Sequence, residues 1–371
     1  MSVPVLIVTH GAHSRALIAA LTRFQPSADA APLQISAIHG VSPDGLDSGV
    51  LAVANRTITS TRPRVVVEAI DDPVMSPRLA AHAIRHGASV VTMSAALIGA
   101  AGRALHALAA EHGVGFYTEA ALGFDLPIGA ILRTSLPGDT LRSVIAFLPV
   151  TPPPARAVMA HRAAALASAA FRSPTTAHDV AVDDAAAPHT ALRPRWERRL
   201  VVGATRRGGT VHTEVFHALL PPTHPMAAAS VRSGFVVEAA GAGTLVFTCS
   251  HRSSAVSDWA LHSDLALATR APVASPWPSP QHVRGGHTPA AYLVSCPATG
   301  PAGVHAVITA LDHRDMTIRQ LENSSGTLRM VVDSPSRQAI RTALVPLGPA
   351  PVGIERLQVT GAGDPSTWLR L

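Results

Sequence analysis

The feature that most constrains this chain is the alternation, through residue 117, of short apolar runs with stretches of helical spacing. Residues 3–8 and 64–70 are dominated by Val and Ile, 33–38 and 89–92 are shorter runs, and 114–117 closes the series. A run that is apolar at consecutive positions is a strand buried on both faces, as in a parallel sheet covered by helices on either side. Between these runs, 14–24, 76–86 and 102–112 place apolar residues at helical spacing. Pro77 falls in a first helical turn, and Gly87 and Gly113 fall where a helix ends on a left-handed residue. Strands alternating with helices predict an α/β domain over residues 1–127, built on a doubly wound parallel sheet.

Residues 128–285 are mixed and predict an α+β domain. A helix is expected at 128–136 and a strand at 142–148, before the proline run 152–154 breaks the chain. An Ala-rich helix follows at 155–171, then strands at 210–220, 233–239 and 244–249. The helix at 259–269 can return to the first domain, and the proline-rich stretch 272–289 reads as a linker. Residues 286–371 run strand, helix, strand, strand, helix, strand, at 291–296, 303–313, 316–322, 326–333, 336–344 and 354–359. That order predicts a ferredoxin-like unit.

Charge narrows the chemistry. The formal net charge is +6, and all 30 basic residues are arginine; the 371 residues include no lysine. No side-chain amine is present for a Schiff base or a lysine general acid, and arginine stays protonated near neutral pH. The densest basic run is Arg193, Arg195, Arg198 and Arg199 around Trp196, with Arg206 and Arg207 beyond it. It carries no nucleic-acid-binding motif and reads as a solvated surface segment, so no nucleic-acid partner is expected. Cys249 and Cys296 are too few for a disulfide framework and fit a reducing compartment. The start of the chain lacks a leader pattern, and the apolar stretch 88–102 is shorter than the ~20 residues of a membrane helix. A soluble cytoplasmic protein without a membrane partner is expected.

Several segments resemble one family in its own order. Residues 77–98, which include Val90-Val91-Thr92-Met93-Ser94-Ala95, look like the homoserine dehydrogenase segment ending "VVTANKALI". Glu119-Ala-Ala-Leu-Gly-Phe-Asp125-Leu-Pro-Ile128 resembles its "EAxVGxGxPI" turn, and residues 179–188 its "DxxGxDxxxK" helix start. Pro221-Pro-Thr-His224-Pro-Met226 resembles its "VPxxHPLA", and Gly300-Pro-Ala-Gly-Val304 is similar to an ACT-domain turn. The resemblance implies a Rossmann-like first domain, a catalytic and dimerisation domain, a C-terminal ACT-type domain and a homodimer.

The departures fall on the chemistry. Where the family has a Gly-x-Gly-x-x-Gly loop, this chain reads Thr9-His10-Gly11-Ala12-His13-Ser14. Glycines there let the backbone approach a pyrophosphate, so Gly11, His10 and His13 are expected to be a vestigial cofactor turn. No cofactor is expected, and NAD(P) is disfavoured. The two family lysines fall on Ala95 and Pro188, and the family's substrate carboxylates on Ser173 and Thr175. Its "NGT" turn reads Leu148-Pro149-Val150-Thr151, and its glycine-rich loop Cys249-Ser250-His251-Arg252-Ser253.

Asp184 stands at the family's pocket aspartate and is either catalytic or a helix N-cap. Asp179 is a weaker case of the same kind. Glu119 is either a ligand to a monovalent cation or a buried hydrogen-bonded carboxylate. Ser94 and His224 complete the expected substrate pocket, His224 also ordering a turn. His251 and Arg252 put a base and a fixed cation where glycines are expected, either serving an anionic small molecule or filling space. His82 and His86 are spaced for zinc but lack a third ligand.

Three functions stay open. One is a repurposed enzyme running acid–base elimination, cyclisation or isomerisation on an amino-acid-like or anionic small molecule, with Asp184, His251 and Arg252 in the lead, in a setting such as actinomycete secondary metabolism. The second is a non-catalytic binding or regulatory homologue. The third is a residual NAD(P)-dependent oxidoreductase.

Overall fold

A computed structural model describes residues 2–10, 13–22, 32–41, 48–70, 72–122, 126–136, 138–149, 156–183, 196–228, 230–250, 258–270, 282–285, 290–298, 300–324, 326–347 and 353–357. The first half alternates β1 (Val3–His10), α1 (His13–Thr22), β2 (Leu33–Val41), α2 (Ser48–Thr61), β3 (Val65–Ala69), α3 (Met75–Arg85), β4 (Ser89–Thr92), α4 (Ala95–Glu111) and β5 (Phe116–Tyr117). These strands form a parallel sheet in the order β2-β1-β3-β4-β5, as the buried apolar runs predict. Gly87 takes φ +80° beyond α3 and Gly113 φ +66° beyond α4, so both carry the expected left-handed turn.

The chain continues through α5 (Glu119–Leu122), α6 (Ile128–Thr134), β6 (Leu141–Leu148), α7 (Arg156–Phe171), β7 (Val180–Val182), β8 (Glu197–Arg207), β9 (Thr210–Leu220), β10 (Ser233–Ala239), β11 (Gly243–Cys249) and α8 (Asp258–Ala268). It ends in β12 (His282–Gly285), β13 (Ala290–Pro297), α9 (Gly300–Asp312), β14 (Thr317–Ser324), β15 (Thr327–Ser334), α10 (Arg337–Leu344) and β16 (Gly353–Leu357). The second sheet is mixed and runs β11-β10-β6-β8-β9-β16-β13-β15-β14, with β7 and β12 also on β9. Its last four strands follow the βαββαβ order of the sequence and lie β16-β13-β15-β14.

Two apolar clusters cover the parallel sheet. Ala54, Ile58, Leu79, Ala83 and Leu97 of α2, α3 and α4 pack on Leu6, Val8, Val66 and Val90. The other face, with Val5, Ile7, Val65 and Val67, is covered by Leu17 and Ala20 of α1 together with Ala260, Leu261, Leu265 and Ala268 of α8. Asp264 on α8 accepts the Ala120 amide at 2.9 Å, and His262 meets the Ala20 carbonyl at 2.8 Å, so this late helix is fixed by polar contacts too. The first cluster runs on through the alanines of α7 to Val144, Ala146, Val202 and Ala204 of the mixed sheet, joining both sheets in one core. No helix among the described residues is long and apolar enough to cross a membrane.

Three expectations need correction. From Glu197 on, the basic segment that reads as solvated surface becomes β8, an inner strand between β6 and β9; Arg207 at its end is exposed as expected, and Arg193 and Arg195 lie outside the described residues. Arg199 on it is buried and donates to the carbonyls of Met226 at 3.1 Å and Val231 at 2.8 Å. Arg198 pairs with Glu355 at 2.6 Å, and Arg206 lies over the Phe171 ring. Their charges are therefore met inside the fold. The proline-rich linker contains β12, which pairs in parallel with Thr210–Thr213 of β9. No helix starts directly after Asp179, since Val180–Val182 is β7, in parallel with Thr213–Val215; the helix start expected at Asp184 lies outside the described residues.

Candidate functional site

Ligands in open parallel sheets bind outside the carboxyl ends of the strands. At that edge the chain places a buried polar network that the sequence did not single out. Glu68, at the end of β3, is fully buried. Its carboxylate accepts from the Ile70 amide at 2.8 Å, the Ser76 hydroxyl at 2.7 Å and the Thr92 hydroxyl at 2.6 Å. Thr92 Oγ1 in turn accepts the Ser94 amide at 3.0 Å, and Ser94 Oγ accepts the Leu97 amide at 3.0 Å. Ser94 is thus the N-cap of α4, an orphan-donor role that serine fills well. Ala95, where the resemblance places a lysine, opens the helix beside it. The only signal for Glu68 in the sequence was an acid inside an otherwise apolar strand run.

Glu119 faces the neighbouring turn. Its two oxygens accept the Gly129 and Ala130 amides at 2.8 and 2.7 Å, and the residue is 2% exposed. A carboxylate on the first free amides of α6 satisfies orphan donors and meets the positive end of the helix dipole. The buried, hydrogen-bonded alternative therefore describes its geometry. Residues 123–125, including Asp125, lie outside the described residues.

Asp179 closes a capping box: its Oδ2 accepts from the Thr176 amide at 2.9 Å and the Thr176 hydroxyl at 2.7 Å. Its carbonyl accepts from Thr213 Oγ1 at 2.9 Å, which pins the start of β7 to β9. Just upstream, Ser173 and Thr175 are fully buried. At the far end of β7, Asp183 lies 3.7 Å from the Arg337 guanidinium of α10. Asp184, Gly11, Pro188, His251 and Arg252 lie outside the described residues. His10 ends β1 and His13 opens α1, which is all their backbones establish.

The structure separates His224 from this group. Its ring packs on Phe147 at 5.1 Å, in the cluster of Val201, Phe216 and Met226. That is the face of β6 and β8 opposite the one on which α7 sits, because Ala146 and Val202 point to α7 while Phe147 and Val201 point away. His224 Nδ1 accepts the Met226 amide at 3.1 Å, so it orders the turn as expected. Burial depresses its imidazole pKa from 6.5 to about 4, and the folded protein holds it neutral. An unfolded histidine takes its proton first as pH falls. Stability contributed by neutral His224 is therefore complete above pH 6.5 and is lost progressively on the way down to pH 4. In thermal melts over that range, His224→Asn keeps an acceptor for the amide and removes the titration. It should flatten the pH dependence by up to about 3 kcal/mol. Parallel curves for the two proteins would show that the ring is not held neutral.

His82 and His86 stack with ring centroids 4.1 Å apart, and the Nε2 of each reaches the Thr59 hydroxyl, at 3.2 and 3.4 Å. Among the described residues no group of three or more His, Cys, Asp or Glu side chains is arranged to hold a metal ion.

No protein-family model matches the chain. It is similar to the homoserine dehydrogenase of Mycobacterium leprae, 28% identical over 284 residues, which is 64% of this chain and 63% of that one. The match therefore spans a little under two thirds of that relative's length. The homoserine dehydrogenase of Corynebacterium glutamicum is 27% identical over 348 residues, 81% of this chain and 73% of the relative. Among solved structures, a homoserine dehydrogenase from Thiobacillus denitrificans superposes with TM-score 0.69 at 15% identity, over 96% of this chain and 98% of that one. The S. aureus enzyme at pH 7.5 gives 0.64 at 12% identity over 97% and 100%. A hyperthermophilic archaeal homoserine dehydrogenase in complex with NADPH gives 0.55 at 16% identity over 72% and 98%.

Proposed function

The chain is a distant member of the homoserine dehydrogenase family, and from that premise we propose that it is a small-molecule enzyme of this fold whose chemistry runs without lysine. The observation that carries the reading is the absence of any lysine from the 371 residues, with Ala95 at the mouth of the sheet where the resemblance places one. Reducing a carbonyl requires a proton delivered to the developing alkoxide, and a positioned acid contributes roughly 10²–10⁴ in rate. Alanine carries no such proton, and arginine holds its own too tightly to donate it.

The dinucleotide fits this chain poorly. Thr9, with a fully buried side chain, stands at the end of β1 where the resemblance calls for the first glycine, and Ser14 for the third. A side chain at the first of these positions fills the approach that a pyrophosphate needs. The buried hydroxyls Ser173 and Thr175 in place of substrate carboxylates point the same way. The reaction class that suits such a site is acid–base elimination, cyclisation or isomerisation of an amino- or oxo-acid-like molecule, with Asp184, His251 and Arg252 as the groups to test first. On the same reading the C-terminal βαββαβ unit is an ACT-type module, and the mixed sheet forms a homodimer.

The test is direct. The protein is titrated with NADPH and NADH by nicotinamide fluorescence, then assayed with aspartate semialdehyde and either cofactor. The expected results are no saturable binding at micromolar concentrations, and turnover at least about 10²-fold below an ordinary dehydrogenase. Micromolar NADPH binding with ordinary turnover would overturn the proposal and restore a nicotinamide-dependent oxidoreductase.

A further inference from the structure

Among the described residues, His82 and His86 come together at the edge of the parallel sheet away from its mouth. α3 begins beside Glu68, whose carboxylate takes the Ser76 hydroxyl at the end of β3, and it runs back to Gly87, just before β4 starts. Its last turn, with His82, and its C-cap, His86, therefore lie towards the opposite ends of the strands. α2 passes alongside and brings up Asn55 and Thr59. Positions four apart on a helix share a face, so each helix presents a pair to the other.

The two imidazoles aim the same atom at one place. His82 Nε2 lies 3.2 Å and His86 Nε2 3.4 Å from the Thr59 hydroxyl oxygen, and the ring centroids are 4.1 Å apart. The Asn55 carbonyl is 3.2 Å from His82 Nε2 and accepts from the Thr59 hydroxyl at 3.0 Å. A carbonyl can only accept, so His86 Nδ1, 2.9 Å from the His82 carbonyl, carries the proton of the neutral ring. Its Nε2 is then a bare lone pair. The Thr59 hydroxyl has one proton, which goes to Asn55, and 3.4 Å is long for a bond from a hydroxyl. Histidines that bind metals are held in this way, with the other ring N–H on a backbone carbonyl or carboxylate.

We infer that His82 and His86 form a two-imidazole chelate for a divalent first-row transition ion of the Zn²⁺ type, with the Thr59 oxygen as a weaker third donor and water in the open positions. Imidazole nitrogen suits Zn²⁺, Ni²⁺ and Cu²⁺, whereas Mg²⁺ and Ca²⁺ take oxygen donors. Both rings bind in the neutral form. His86 already holds its proton on Nδ1, and His82 moves its proton from Nε2 to Nδ1 through water. His86 is exposed and His82 half-buried, so the ion enters from solvent. At the far ends of the strands from the mouth, the ion is structural: it ties the last turn of α3 to α2. The site goes beyond the function proposed above and does not depend on it.

The full chain is titrated with Zn²⁺ by calorimetry, with Mg²⁺ as the oxygen-seeking control. His82→Gln and His86→Gln each remove one imidazole and keep a side chain that suits a helix. The tightest Zn²⁺ step is expected to weaken at least about tenfold in each variant. Thr59→Asp, which puts a carboxylate beside the two rings, should tighten that step at least about tenfold. Saturating Zn²⁺ should raise the thermal midpoint of the wild-type chain, and both glutamine variants should lose that rise. The chain has 19 histidines, so a tight step retained in either glutamine variant would assign the ion elsewhere and overturn the inference. Equal binding of Mg²⁺, no Zn²⁺ step at all, or no tightening in Thr59→Asp overturns it as well.

Discussion

Arg356→Leu is expected to destabilise the protein by about 3–5 kcal/mol, the scale for removing one partner of a buried ion pair. Arg356 on β16 is 4% exposed and forks onto Glu214 of β9 through two hydrogen bonds of 2.8 Å. Its guanidinium carbon also lies 3.5 Å from the centre of the Phe216 ring. The bidentate geometry and the aromatic face are both specific to arginine. Leucine would leave the buried Glu214 carboxylate without its fork, and that desolvated charge is the main cost. If so, Glu214→Leu combined with Arg356→Leu should recover most of the loss, because two well-packed leucines bury no charge. Urea denaturation of the two single variants and the double variant measures the coupling between them. A single-variant loss under about 1 kcal/mol would place the pair in effectively aqueous surroundings and remove the argument.

The pair also bears on how the C-terminal unit meets the rest of the chain. β9 carries β8 on one edge, and β12, β7 and β16 in turn along the other. Glu214 sits opposite Ala181 of β7, whose strand leads within two residues to Asp183 and its contact with Arg337. Loosening Arg356 should therefore raise amide exchange along Val180–Val182 before it affects β1 or β3. The C-terminal strands and the segment that leads to Asp184 share one set of buried charges.

What could be read from the residues followed the physics of burial. β1 and β3 were legible because a short run of β-branched Val and Ile at consecutive positions favours a strand covered on both faces. α7 was legible from its alanines, and the order of the last six elements from clean changes of period. α2 was not read, because its Thr57, Ile58, Thr59 and Thr61 are β-branched, and the residues that meet the core, Leu51, Ala54 and Ile58, are interleaved with polar ones. β8 was hidden because its arginines imitate a solvated run. Their partners, Glu355 and the carbonyls of Met226 and Val231, come from remote parts of the chain, and nothing local announces them. The site followed the same rule. Ser94 and Glu119 were found as positions, but that each satisfies a helix N-terminus depends on where α4 and α6 begin. The separation of His224 depends on which way Phe147 points, and a two-residue period fixes that only once the strand's covered face is known. Ser173 and Thr175 were noted for what they lack, and their burial became visible only with α4 packed on α7.

Glu68→Ala is expected to destabilise by about 3–5 kcal/mol, while Glu68→Gln should lose only about 1 kcal/mol. Alanine leaves three buried donors, the Ile70 amide and the Ser76 and Thr92 hydroxyls, without the carboxylate that receives them, and it opens a cavity at the edge of the sheet. Glutamine keeps the shape and one oxygen. That oxygen can stay with Ile70 and Ser76, while the new amide donates to Thr92, whose hydroxyl can turn to accept it. The two substitutions therefore separate hydrogen bonding from charge. A large loss on Gln as well as Ala would mean that the negative charge itself holds the edge together. The readout extends to the site, because Thr92 accepts the Ser94 amide and Ser94 caps α4. Hydrogen exchange at Ser94 and Leu97 should speed up in Glu68→Ala and stay near wild type in Glu68→Gln. Protection unchanged in both variants would show that the mouth of the sheet is organised without this carboxylate. Protection lost in the alanine variant alone would mean that the hydrogen bonds of this buried side chain in the third strand, not its charge, set the start of α4.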